Sequence, residues 1–232
     1  FHRIINNKIE NNRYFEDVYF EIFDETVKRV DAIQKQEKNK TNYFITFDDG
    51  YASCYHEAIG KLIESDIKAI FFIVPKFIGK EDYLSWSMIR EMSAYGAIFG
   101  SHSYSHQDLT TVSNDILNIE LITSKNIIEQ KIGSIVSDFS YPYGKYNEAT
   151  NIAVLEAGYN KIYNSNRGVN NTSSIIINRN SINSLFNQKK IETILRPNYI
   201  NRIFWYLENL SKKNIKLVIG DENYLKLRDW IN

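Results

Sequence analysis

Apolar residues along this chain follow two alternating rhythms. Short runs rich in β-branched and aromatic residues read as strands: Tyr43 to Phe47, Ala69 to Val74, Ala97 to Gly100, Ile135 to Tyr141, Lys161 to Tyr163, Ile175 to Ile177 and Ile215 to Ile219. Between them, apolar positions recur at helical spacing over Phe15 to Ile33, Tyr55 to Glu64, Ser87 to Tyr95, Asn114 to Lys131, Ala149 to Glu156 and Tyr199 to Leu210. Ser113 stands where a cap is needed for the helix from Asn114, and Gly133 supplies its stop signal. Strands alternating with helices predict an α/β protein with a mostly parallel sheet. No Pro/Ser/Gly-rich linker and no repeat interrupts the pattern, so the chain reads as one domain over 1–232, with a helical extension from about residue 186. The many Asn residues are scattered through periodic segments and form no low-complexity tract.

Composition narrows the classes of function. With 232 residues, 43% hydrophobic and 24% charged, the balance is that of a soluble globular protein with room for one large core. Lys+Arg and Asp+Glu are equal at 28 each, which leaves no net field to draw in a polyanion, and nucleic acid is not an expected partner. The longest apolar runs, such as Ile67 to Val74, fall far short of the roughly 20 residues that cross a bilayer, so no integral membrane segment is expected. The single cysteine, Cys54, excludes an internal disulfide. A bacterial cytoplasm fits that count. The cell envelope or secretion stays open, because the chain starts on Phe1 without an initiator Met. Oligomeric state is not legible.

Three segments carry chemistry. In Thr46-Phe47-Asp48-Asp49-Gly50 an apolar strand ends in two adjacent carboxylates and a turn-forming glycine. Strand ends of parallel α/β folds build active sites, although the same pair could be a solvated turn. In Gly100-Ser101-His102-Ser103-Tyr104-Ser105-His106 two of only four histidines sit four residues apart. On a helical turn that spacing puts both imidazoles on one face, as two corners of a metal site or as a polar surface feature. Joined to a carboxylate from another strand end, they form a two-nitrogen, one-oxygen set that leaves positions open for water and substrate. The third segment, Phe139-Ser140-Tyr141-Pro142-Tyr143-Gly144-Lys145-Tyr146-Asn147, is either a structural turn or a rigid loop offering a backbone N–H to an oxyanion and aromatic faces to a sugar.

These segments, in this order, resemble the signature motifs of the NodB-homology polysaccharide deacetylases, carbohydrate esterase family 4, over about residues 1–182. The resemblance implies a distorted (β/α)7 barrel that hydrolyses N-acetyl groups of amino sugars in a glycan or glycan precursor. The implied cofactor is a divalent metal, zinc first, with cobalt, nickel or manganese as alternatives. By matching motif, Asp48 would be the catalytic base, Asp49, His102 and His106 the metal ligands, and Tyr143 the backbone donor to the oxyanion. Other acyl hydrolysis, of a different amide or an O-acetyl ester, and a silent carbohydrate-binding relative are the competing readings.

Two departures from the family pattern bear on these roles. Ser140 stands where the third motif usually has Arg, and in the branch this chain resembles an Arg on a later strand takes over; Arg179 is the match. Beside Asp48 it would hold that carboxylate ionised. The late Leu-x-x-His motif is missing, since no histidine follows His106. In exopolysaccharide deacetylases of permuted order the acid histidine comes from the first strand, and Phe1-His2-Arg3-Ile4 fits, which makes His2 the candidate general acid. His56 reads as a surface or boundary residue, Cys54 as packing, Trp86 as either groove lining or rim seal, and the Phe204-Trp205-Tyr206-Leu207 stripe as packed on the barrel.

Overall fold

The computed structural model describes residues 1–5, 18–36, 42–212 and 223. In chain order these form β1 (Ile4–Ile5), β2 (Val18–Tyr19), α1 (Phe20–Gln36), β3 (Ile45–Phe47), a π turn (Cys54–Ala58) and α2 (Ile59–Glu64). There follow β4 (Ala69–Ile73), α3 (Trp86–Ala94), β5 (Ile98–Ser101), α4 (Asn114–Ile132), β6 (Asp138–Ser140) and a 3₁₀ turn (Pro142–Gly144). Then come α5 (Glu148–Glu156), β7 (Lys161–Tyr163), β8 (Ile176–Ile177) and α6 (Gln188–Leu195), and a final helix α7 spans 199–212. The six strands β3 to β8 pair in sequence order and all in parallel, each crossover from β3 to β7 being a helix. A sheet wound in one direction keeps its helices on one face and curls, here into the half-barrel of the expected α/β class.

The strand alternation of side chains decides what each face holds. Phe47, Phe71, Ile73, Phe99, Phe139 and Ile162 join the large core shared with the helices. Within it Phe47 stacks on Phe71 at 4.9 Å, and Phe71 leans on Phe99 at 5.6 Å. Each such buried side chain stabilises the fold by about 1.5–3 kcal/mol. Ile70, Phe72 and Tyr163 point the other way and form a small cluster with Ile177 that no helix enters among the described residues. At the mouth of that concave side stands the chemistry.

The first segment joins the sheet at its β3 edge. The Phe1 nitrogen donates to the Thr46 carbonyl and the Asp48 N–H donates to the Phe1 carbonyl, both at 2.9 Å, the ladder of a parallel strand. Among the described residues the main sheet has six strands, and this segment adds a further line of pairing at its edge. The ladder sets His2 beside the end of β3.

Two differences from the sequence reading have clear causes. The run from Ile135 yields a strand only at Asp138, because Val136 sends its N–H to Glu129 Oε1 at 2.9 Å and Ile135 is 84% exposed. Of the aromatic stripe in α7 only Trp205 is buried, while Phe204, Tyr206 and Leu207 face outward. The strand read at Ile215 to Ile219 lies outside the described residues. The caps at Ser113 and Gly133 form as read, the glycine in the left-handed conformation that ends α4. Among the described residues no helix is long and apolar enough to cross a membrane.

Gly100 is required by close packing. A Cβ built there would lie 2.6 Å from two carbons of the Phe72 ring and 2.8 Å from the Asp138 carbonyl. Gly100→Ala is expected to cost about 1–3 kcal/mol through this overpacking, read as a lower urea midpoint. An unchanged midpoint would mean the sheet yields freely at β5.

Candidate active site

Apart from His2, which precedes β1, the candidate side chains follow strand ends on one rim. Alternation along β3 turns Thr46 and Asp48 toward the same concave face, and Asp49 then takes the left-handed conformation, φ 71°. Asp is among the few residues that tolerate this backbone, and the kink directs two neighbouring carboxylates to different places. Both are buried.

Asp48 meets Arg179, two residues past β8. The guanidinium grips the carboxylate with both arms, NH1 to Oδ1 at 2.7 Å and NH2 to Oδ2 at 2.8 Å. It also donates to Ser140 Oγ (2.8 Å), Thr46 Oγ1 (3.3 Å) and the Asn164 carbonyl (3.1 Å), and lies over the Phe72 ring at 5.4 Å. Ser140, the residue that departs from the family pattern, thus offers a small acceptor and the room the incoming arginine fills. Burial alone would raise the Asp48 pKa, but Arg179, with His102 and His2 behind it, outweighs burial and holds the carboxyl well below the usual range. His2 Nε2 lies 3.9 Å from Asp48 Oδ2.

Asp49 meets the two histidines instead. Its Oδ1 is 3.2 Å from His106 Nε2 and 3.6 Å from His102 Nε2, and the three candidate ligand atoms lie within 4.8 Å of one another. The short approach lacks hydrogen-bond alignment, so this buried oxygen has no hydrogen-bond partner. His102 Nδ1 lies 2.7 Å from the Ser140 carbonyl, which fixes it as the N–H and turns the Nε2 lone pair toward Asp49. Burial lowers the His102 pKa to about 4, so the ring is neutral near pH 7. An orphaned carboxylate oxygen converging with imidazole lone pairs is a donor set that fits a divalent cation, and its composition suits zinc.

The histidines do not come together on a helical turn, as their spacing suggested. His102 continues the β5 ladder through its N–H to the Ile73 carbonyl at 3.0 Å, and Ser103 and His106 take left-handed backbones, φ 63° and 62°. Two kinks in four residues bring the rings to 5.0 Å. Tyr143 also has positive φ, 59°, with its ring edge-on to His106 at 4.6 Å and 64% exposed. Lys145, just beyond, pairs with Asp108 at 2.6 Å and ties the Tyr143 turn to the histidine loop.

The remaining candidates lie outside the Asp-His-His cluster. Cys54 is buried, its thiol pushed up to about 12 by burial and donating to the His2 carbonyl at 3.6 Å. His56 is exposed, and Trp86 opens α3 half-buried and packed against the main core. Thr46 and Asn164 were not singled out as site residues; the period-two step from Asp48 signals Thr46, whereas nothing in the sequence signals Asn164.

A parallel half-barrel thus carries on one rim an Asp-His-His cluster, with Asp49 and His102 buried, beside a second carboxylate held by arginine. The chain belongs to the polysaccharide deacetylase family, whose sequence model matches residues 35–162. It is 31% identical over 136 residues to YxkH of Bacillus subtilis strain 168, named as a candidate polysaccharide deacetylase, covering 58% of this chain and 49% of that protein. It is 26% identical over 141 residues to the peptidoglycan-N-acetylmuramic acid deacetylase PdaA of the same strain, covering 59% of this chain and 51% of that one. The chain therefore spans about half the length of these curated relatives. Among solved structures, the Streptococcus pyogenes deacetylase PplD in complex with acetate superposes with TM-score 0.74 at 21% identity, over 85% of this chain and 96% of that one, a likeness of fold.

Proposed function

We propose that this chain hydrolyses the N-acetyl group of an amino sugar within a glycan or glycan precursor, with a divalent metal held by Asp49, His102 and His106. The observation that carries this reading is the division of labour between adjacent acids: Asp49 is orphaned among imidazoles, while Asp48 stands outside that cluster, ionised by Arg179. When bound, the metal would polarise the acetyl carbonyl and acidify a water molecule. Asp48 accepts the water proton, and Arg179 keeps it charged and aimed. The Tyr143 backbone N–H serves the developing oxyanion, and His2 protonates the departing nitrogen, so that acetate and a free amine result. The deacetylase relative that acts on N-acetylmuramic acid supports an N-acetylated sugar as substrate.

The test is acetate release from N-acetylated glycan oligomers, with ester donors in parallel, by Zn²⁺-loaded protein. Release that stops on chelation and in Asp49→Asn is the expected result. Stoichiometric metal without release from any oligomer would overturn the reading. His2→Ala is expected to lower kcat by about 100-fold with metal content unchanged; loss of metal in that variant would instead place His2 in the cluster.

A further inference from the structure

Glu120 lies on α4, 3% exposed, on the helix face that also buries Leu117, Leu121, Ser124 and Ile128. Packing alone would put an apolar residue there, because a buried carboxylate is costly unless it is paired. Among the described residues no cation pairs with it. Its partners all belong to the histidine loop: Oε2 accepts the Ser105 N–H at 2.8 Å, and Oε1 accepts the Ser105 hydroxyl at 2.5 Å and Gln107 Nε2 at 3.2 Å. These donors flank His106. The loop they hold contains two non-glycine residues in the left-handed region, Ser103 and His106, each costing about 1–3 kcal/mol and stable only where the surroundings over-determine the backbone.

We propose that Glu120 is a positioning residue for the metal cluster, clamping the loop at Ser105 so that His106 Nε2 stays aimed at Asp49. The proposal rests on the metal-site reading given above. His102 needs no such clamp, since the β5 ladder and the Ser140 carbonyl fix both its backbone and its ring. The backbone around His106 is held from within by its own N–H to Ser103 Oγ at 3.0 Å, and from outside by the Lys76 N–H to the Tyr104 carbonyl at 3.1 Å and by Glu120, which alone grips Ser105 through both its N–H and its hydroxyl. Without the clamp the loop can relax toward right-handed backbone, and one of the two nitrogen donors swings away. Asp49 and His102 would remain in place.

The experiment is calorimetric titration of metal-stripped protein with Zn²⁺, together with the visible absorption of the Co²⁺ form, which reports coordination geometry. Glu120→Ala is expected to weaken Zn²⁺ binding by about 10–100-fold and to alter the Co²⁺ spectrum, as losses of groups that orient ligands do. Glu120→Gln keeps the size and one acceptor oxygen, so it should fall between the wild type and Glu120→Ala, and it serves if the Ala variant does not fold. Thermal unfolding of the stripped proteins separates the two roles. Unchanged Zn²⁺ affinity in Glu120→Gln and Glu120→Ala, with or without a lower unfolding temperature, would overturn the proposal and leave Glu120 a purely structural residue. A wild-type protein that takes up no Zn²⁺, or takes it equally well after His106→Ala, would overturn the metal-site reading and this proposal with it.

Discussion

Replacing Arg179 with Met is expected to lower the unfolding free energy by about 3–5 kcal/mol, measured by urea denaturation. The side chains of Arg179 and Asp48 are 14% and 8% exposed, so removing the guanidinium strands a nearly buried carboxylate without its counter-charge. The penalty is larger than that of an ordinary ion pair because the guanidinium also serves Ser140 Oγ, Thr46 Oγ1 and the Asn164 carbonyl. Lys at this position should recover only part of the loss: an ammonium is a point charge and cannot grip both oxygens at once. A double-mutant cycle with Asp48→Asn would isolate the pair, since with both charges gone most of the penalty should vanish. A loss below about 1 kcal/mol in Arg179→Met would show that the pair behaves as a solvated surface bridge.

Asp48→Asn is expected to reduce kcat by about 10³–10⁴-fold while the protein keeps its metal. The amide cannot accept the water proton, yet it leaves the cluster alone, because Asp48 is not among the three converging ligand atoms. Asp49→Asn should give the opposite pattern, with metal lost first. Because Asp48→Asn also leaves a buried arginine without its counter-charge, its folded state at the assay temperature should be verified by near-ultraviolet circular dichroism. Metal loss in Asp48→Asn would move that residue into the coordination set and reverse the assignment of the two acids.

Much of this was legible because the physical signals are local. The strand Lys161–Tyr163 was read at its observed bounds, and the acids at the end of β3 stood out because a buried apolar run rarely ends in two charges. Spacing marked the two histidines but not their geometry: four residues suggested a helical turn, whereas left-handed kinks at Ser103 and His106 do the work, and kinks at non-glycine residues leave no periodic trace. Arg179 was reached through family resemblance, since a lone arginine past a two-residue strand carries no local signal. Glu120 was invisible for a different reason. On an amphipathic helix a glutamate reads as a solvent-facing position, and only the fold, which lays α4 against the histidine loop, makes it an internal group. The π turn at Cys54–Ala58 likewise registered only as part of a helix.

The bidentate pair at the centre of the site joins residues 131 positions apart. During synthesis, at about 5–20 residues per second, Asp48 is made roughly 7–26 s before its partner. Through that interval the concave side of the half-barrel cannot close over Asp48 without enclosing a bare negative charge. Completion of the concave side is thereby tied to a residue that arrives late in the chain, beyond β8.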